Sequence, residues 1–177
     1  MEQVLSQIPE FLSPANLRFL VEAMGVTIAL TVFGCGLGFL LAFFVVFARQ
    51  TPGHWALPLR TAAILFVEIF RRIPFLVTIY LVLFGLAVIV KNASLFAIAL
   101  IAICIYATAY SADIIRGGFE FVPRQQIEAA RAMNFGRWRT LIHVIVPQSW
   151  PVILPPAMVF MVAFVKDTAL VSLLGVF

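Results

Sequence analysis

Ionisable side chains are few in this sequence, and most stand at the ends of apolar runs. Lys166-Asp167-Thr168 closes one such run. An ionisable residue at membrane depth is a functional candidate by default. The alternatives are a pair within Lys166-Asp167, a partner on another helix, or a place at the outer interface. Arg71 and Asp113 stand near other run ends, where a pair across helices is expected. Glu128-Ala129-Ala130, followed by Asn134 and Gly136, lies in the longest polar stretch. No His/Asp or Ser/His cluster gathers near one face, so no catalytic set is assigned. Gly34-Cys35-Gly36-Leu37-Gly38 has neither a strand before it nor a lysine after it, so it is no phosphate loop. Gly34 and Gly38, four apart on one helix face, instead suit close helix packing. Cys35 and Cys104 read as small buried hydrophobes, and no metal site is expected.

These residues need an apolar scaffold. Hydrophobic residues make up 63% of the 177 and charged ones 11%, against roughly 25% charged in soluble domains. So few charges cannot cover a water-facing surface, and a mean hydropathy of +1.09 points to lipid as the main solvent. The net charge of +4 then speaks to membrane topology and not to nucleic acid. No basic leader precedes an early apolar core, so no cleavable signal is evident.

A helix needs roughly 20 apolar residues to cross a bilayer. No charge interrupts residues 23–48, which span once. A second run covers Ile73–Val90, with an earlier start near Leu59 as an option that puts Glu68, Arg71 and Arg72 at one membrane face. A third covers Ala93–Ala112, and Lys91-Asn92 forms a very short outer turn between these two. A fourth, Val144–Val165, holds Pro147, Pro151, Pro155 and Pro156, which predict a kinked or broken helix or a partly re-entrant start. A structural kink is the default reading, and a path lining at Pro155 is the functional one. The apolar tail after Thr168 is too short to cross, so a further spanning helix is expected beyond Phe177. The fold class is an all-α polytopic membrane bundle, one domain over residues 1–177.

Arg49, Arg60, Arg71 and Arg72 mark one connecting segment, and Arg116, Arg124, Arg131, Arg137 and Arg139 another. The positive-inside rule places both in the cytoplasm and the N-terminus outside. Trp55, Trp138 and Trp150 read as interfacial anchors, Tyr106 and Tyr110 as packing aromatics, and His143 as an interfacial residue.

The segment at about 113–140 is the most informative. Gly117-Gly118 is expected to break the third helix, and Pro123 to open a new one. Residues 124–133 are good helix formers, with a Glu128–Arg131 pair expected at i,i+3. Asn134 and Gly136 are both able to take the left-handed conformation that ends a helix. Arg137 then starts a second helix. Ala129, Ala130 and Ala132 keep the projection thin, so a partner groove can receive it. An amphipathic hairpin lying on anionic lipid ranks equally on physics alone.

Glu128-Ala129-Ala130, Asn134, Val144 and Val146-Pro147 resemble the EAA loop of ABC importer permeases, with matching spacing throughout. Asn134, Val144 and Val146 replace that pattern's Gly, Ile and Leu. Phe70-Arg71-Arg72-Ile73-Pro74, Ala109-Tyr110-Ser111-Ala112-Asp113-Ile114-Ile115-Arg116-Gly117-Gly118, Pro147-Gln148 and Lys166-Asp167-Thr168-Ala169-Leu170 are similar to motifs of the polar amino acid branch, of the histidine, glutamine and arginine kind. Arg72-Ile73, Asp113 and Ala169 depart from that branch's Gly-Thr, Glu and Ser.

The resemblance implies the type I importer fold and a multi-pass subunit of the bacterial inner membrane. It implies an ATPase dimer on the cytoplasmic side, a second permease, identical or paralogous, and an extracytoplasmic solute-binding protein. This chain would be a translocation subunit and not an enzyme. It would carry no cofactor of its own, ATP and Mg²⁺ being bound by the ATPase. Glu128, Ala129, Ala130, Asn134 and Gly136 become the docking loop, with Glu128 capping a backbone or pairing with a basic ATPase residue. A solvated helix charge is the plain alternative for Glu128. Lys166, Asp167, Thr168 and Pro155 become candidates for the solute path or gate, where Lys166 and Asp167 meet the charged ends of an amino acid. A structural or gating role is favoured over direct ligation. A channel or secondary transporter without an ATPase is the rival reading. Such proteins carry buried mid-helix charges or internal repeats, and neither stands out here.

Overall fold

A computed structural model describes residues 13–90 and 94–174. The Lys91-Asn92 turn and the expected helix beyond Phe177 lie outside the described residues.

Every element among the described residues is helical. Helix α1 (Pro14–Arg49) is capped by Ser13, whose hydroxyl accepts from the Asn16 amide. A 3-10 turn at His54–Ala56 leads into α2 (Leu57–Arg72) and then α3 (Phe75–Ile89). The option of an early start to the second run is realised with a sharp break, since α2 and α3 meet at 118°. Pro74 explains the break. Ile73 before it is extended (φ −82°, ψ 132°), as the proline ring requires of its predecessor. Alone, the 15 residues of α3 reach only about 22 Å at 1.5 Å each, short of a bilayer core.

Helix α4 (Leu95–Phe121) runs straight through Gly117-Gly118, contrary to the expected break. The reason lies in packing. A Cβ on Gly118 would run into the Ile153 side chain and stand 3.4 Å from the Ser149 carbonyl oxygen, so this glycine admits a neighbouring helix. The helix ends instead where Val122 turns extended ahead of Pro123. Helix α5 (Arg124–Ala132), α6 (Arg137–Thr140), a π-helical turn (Leu141–Ile145) and α7 (Val146–Asp167) follow, and a 3-10 turn covers Thr168–Leu174. The prolines do not break α7. Pro151, Pro155 and Pro156 all sit inside it. The wide π turn lies where Pro147 would otherwise crowd the carbonyl four residues earlier.

Three helical segments are long and apolar enough to cross a membrane among the described residues, or four if the bent α2–α3 pair counts as one. Helix α4 is the axis of the bundle. Its most apolar stretch is 61% buried, against 17% for the span from Arg137 to Val171. Small residues make this possible, since Ala99, Ala102, Ala107, Ala109 and Ala112 are fully buried along α4. The core divides into two clusters along the axis. One joins Leu30, Phe75, Ile79, Ile103, Tyr106 and Phe164, and the other joins Ala42, Val46, Val67, Ile115, Phe119 and Ile153.

Helix α1 approaches α4 most closely at two glycines. A Cβ on Gly38 would lie 2.7 Å from the Ala107 Cβ and 3.0 Å from the Cys104 carbonyl oxygen, and one on Gly34 would overlap the Ile103 side chain. Cys35 and Cys104 are buried free thiols.

Candidate functional site

The arginine-rich end of the bundle carries a hairpin built from α5 and α6. Its turn is closed by backbone chemistry. Asn134 is left-handed at φ 57°. Its amide donates to the Arg131 carbonyl at 2.9 Å, and the Phe135 amide donates to the Ala130 carbonyl at 3.0 Å. This pair of bonds is a Schellman ending, which satisfies carbonyls the last helical turn would leave orphaned. Gly136, expected to share the left-handed role, does not. It is extended (φ −65°, ψ 165°) and leads α6, where its carbonyl accepts from the Thr140 amide at 3.0 Å and hydroxyl at 3.2 Å. One left-handed residue suffices to reverse the chain, so the second is spared.

The hairpin has two faces. Glu128, Ala129 and Asn134 are exposed, whereas Ala130 is buried against the bundle. The expected Glu128–Arg131 pair does not form among the described residues, and both residues are exposed. Beneath the hairpin lies a cleft of about 380 Å³ lined by Phe47, Gln50, Ile127, Arg131, Arg137 and Leu141 among others. At its edge Trp138 stacks on Phe47 with ring centroids 4.2 Å apart and planes at 14°. The Arg137 guanidinium carbon sits 4.7 Å from the Phe47 ring centroid, and Arg137 Nη2 donates to the Gln50 carbonyl oxygen.

A second polar group joins α2 to α4. Arg71 Nη1 lies 2.8 Å from Asp113 Oδ2, so the expected pair across helices forms. Arg116 donates to the other carboxylate oxygen, Oδ1, at 2.9 Å and 3.2 Å, and also to Glu120 at 2.6 Å. Tyr110 adds a hydroxyl donated to the Arg71 carbonyl at 3.3 Å and a ring face 5.6 Å from the Arg71 guanidinium. Tyr110 also stacks on Phe160 of α7.

Lys166 and Asp167 are exposed at the far end of α7, and among the described residues neither takes part in an ion pair. Thr168 is buried, and its hydroxyl donates to the Val165 carbonyl at 2.6 Å, back onto its own helix. Pro155 is exposed on α7. The structure therefore brings the hairpin residues together at one end and leaves Lys166, Asp167 and Pro155 apart from them. Among the described residues no group of three His, Cys, Asp or Glu side chains is placed to hold a metal.

The sequence pattern of binding-protein-dependent transport system inner membrane components matches residues 24–177. The chain belongs to this family. It is 28% identical over 156 residues to the inner membrane amino-acid ABC transporter permease protein YhdY of Escherichia coli, covering 86% of this chain and 42% of that protein. It is 32% identical to the octopine transport system permease protein OccM of Rhizobium radiobacter (86% and 65% covered). It is 30% identical to the arginine ABC transporter permease protein ArtQ of Haemophilus influenzae (91% and 73%). The chain thus spans less than two thirds of the length of the first two relatives.

A crystal structure of an amino acid ABC transporter with histidines superposes with a TM-score of 0.73 at 28% identity, covering 88% of this chain and 75% of that one. An inward-facing MetNI methionine ABC transporter gives 0.79 at 22% identity (93% and 78%), which speaks to the fold alone. In this transport component the sequence reading passed over Phe47, Gln50 and Glu120. Phe47 is one of eighteen phenylalanines, and nothing in its local spacing marks it. Glu120, four residues after Arg116 on a helix, was discernible from spacing had α4 been carried past Gly118.

Proposed function

We propose that this chain is the permease subunit of an ATP-driven importer that takes up a polar amino acid or a related small derivative. An extracytoplasmic binding protein delivers the solute, and the N-terminus lies outside. A second permease, identical or paralogous, packs alongside. ATP and Mg²⁺ act on a separate cytoplasmic ATPase dimer, which grips the hairpin.

The observation that carries the reading is the exposed Glu128-Ala129 face on a Schellman-closed hairpin at the arginine-rich end. Ala129 leaves no bulk to obstruct a groove, Glu128 offers a carboxylate to a basic partner, and Asn134 holds the turn. Gly136 leads α6 out of that turn, its carbonyl accepting from Thr140. Closing the ATPase pair drives the hairpins together and switches the permeases between inward- and outward-facing states, a rigid-body change of packed helices. Lys166, Asp167 and Thr168, with Pro155 further back along α7, belong to the solute path or its outer gate, a structural or gating role being favoured over direct ligation. The exposed carboxylate and ammonium support this place for them.

The test is Glu128→Lys in the intact transporter. Reversing this charge lowers uptake of labelled amino acids at least about tenfold, the factor that 1.4 kcal/mol of lost docking supplies. Membrane insertion stays unchanged. Wild-type uptake by the variant defeats the docking assignment.

A further inference from the structure

The hairpin is joined by the chain itself to α4 through Val122-Pro123, and to α7 through the π turn. Helix α1 has no such connection. It ends about 75 residues before the hairpin begins and is packed closely on α4 further along its length. What joins its end to the hairpin is noncovalent. Phe47, in the last turn of α1, is stacked by Trp138 and flanked by the Arg137 guanidinium, while Arg137 also holds the Gln50 carbonyl just past the helix. Three kinds of contact, each with its own geometric demand, converge on one turn of α1.

We propose that Phe47 is a positioning residue of transport, the fastening by which movement of the hairpin is passed to α1. This rests on the reading of the hairpin as the ATPase docking element. A displacement of the hairpin pulls α4 and α7 through the backbone. It moves the end of α1 with them only while the aromatic stack and the arginine bridge hold. Without them, α1 stays with its glycine-packed middle, and the far end of the bundle receives an incomplete signal. The stack requires a flat face on residue 47. A side chain of equal bulk without a ring fills the space but offers neither stacking nor a site for the guanidinium.

The experiment uses the intact transporter, this chain purified with its ATPase and reconstituted in vesicles. Phe47→Ala, Phe47→Leu and Phe47→Tyr are compared for ATPase copurification, ATP turnover and solute taken up per ATP hydrolysed. Ala and Leu are expected to bind the ATPase as wild type does. Their uptake per ATP falls about 5- to 10-fold, the lower range of ordinary site-to-site coupling. Tyr, which keeps the ring, stays within about twofold of wild type. Trp138→Leu, at a side chain 60% exposed and so tolerant of change, repeats the loss without touching α1. A purely structural role for Phe47 predicts instead that Leu restores what Ala loses. That outcome, or an unchanged ratio in Phe47→Ala and Trp138→Leu, overturns the proposal. Absence of the ATPase from wild-type preparations strikes the docking reading itself, whereas normal binding with unchanged coupling strikes only the role of Phe47.

Discussion

Gly38 and Gly36 stand two residues apart on α1 and make a controlled pair. Replacing glycine by alanine in a helix gains up to about 1 kcal/mol from the backbone alone. At Gly36 nothing lies within 4 Å of the added methyl, so that gain is retained in full. At Gly38 the same methyl meets the Ala107 Cβ at 2.7 Å, the Cys104 carbonyl oxygen at 3.0 Å and the Thr108 amide nitrogen at 3.0 Å. Two of these neighbours are backbone atoms of α4, and the third is a Cβ fixed to it. None can rotate away, so the helices must part. Overpacking of this kind costs about 1–3 kcal/mol. The net for Gly38→Ala is therefore a loss of up to about 2 kcal/mol once the propensity gain is set against it. The propensity gain is common to both variants, so they differ by the overpacking cost alone, and at about 2–4 °C per kcal/mol for a chain of this size they should melt roughly 2–12 °C apart. Size-exclusion profiles after graded heating in detergent, at equal protein concentration, measure this directly. Gly38→Ala matching or exceeding Gly36→Ala would refute the close approach of α1 and α4, and with it the placing of α4 as the axis.

Two further substitutions probe the arginine-rich end. Asn134→Gly should leave the hairpin intact, since glycine takes the left-handed conformation freely, whereas Asn134→Val should cost about 1–2 kcal/mol and speed tryptic cleavage next to Arg131 and Arg137. Equal cleavage rates would show that the turn does not depend on this residue. Asp113→Asn removes the charge shared by Arg71 and Arg116; with both arginines partly exposed, the loss should be about 1–2 kcal/mol in thermal stability, while Arg71→Lys keeps most of it. An Asp113→Asn protein as stable as wild type would mean that the network contributes geometry and no energy.

Hydropathy made the spanning runs legible because lipid imposes a length and a composition that few other constraints mimic. The hairpin was legible for a different reason. Asn134 and Pro123 restrict the backbone locally, and a local restriction is visible in a local window of sequence. Gly117-Gly118 misled for the complementary reason. Its meaning is set by Ile153 on another helix, and no window of one helix contains that information. Of the kinked or broken helix that the prolines of α7 predicted, the break is absent, since Pro151, Pro155 and Pro156 all lie within one continuous helix. The Arg71–Asp113 pair was anticipated only as two charges at run ends; its partners Arg116 and Glu120 depend on how far α4 continues.

The polar network and the hairpin are linked by that same continuation of α4. Asp113, Arg116 and Glu120 lie on its last turns, and Val122-Pro123 hands the chain to α5 directly after them. Had the helix broken at Gly117, these side chains would have fallen on a loop with no fixed relation to Arg71. A rigid helix end instead ties the hairpin to the α2–α3 bend, because Arg71 sits in the last turn before Pro74 and both its guanidinium and its carbonyl are held from α4. The exposed projection at one end and the 118° bend thus share a single stiff member. Gly118 weakens the helix locally by up to about 1 kcal/mol, and in return seats Ile153 of α7 against the same turn, so that packing holds the helix end straight.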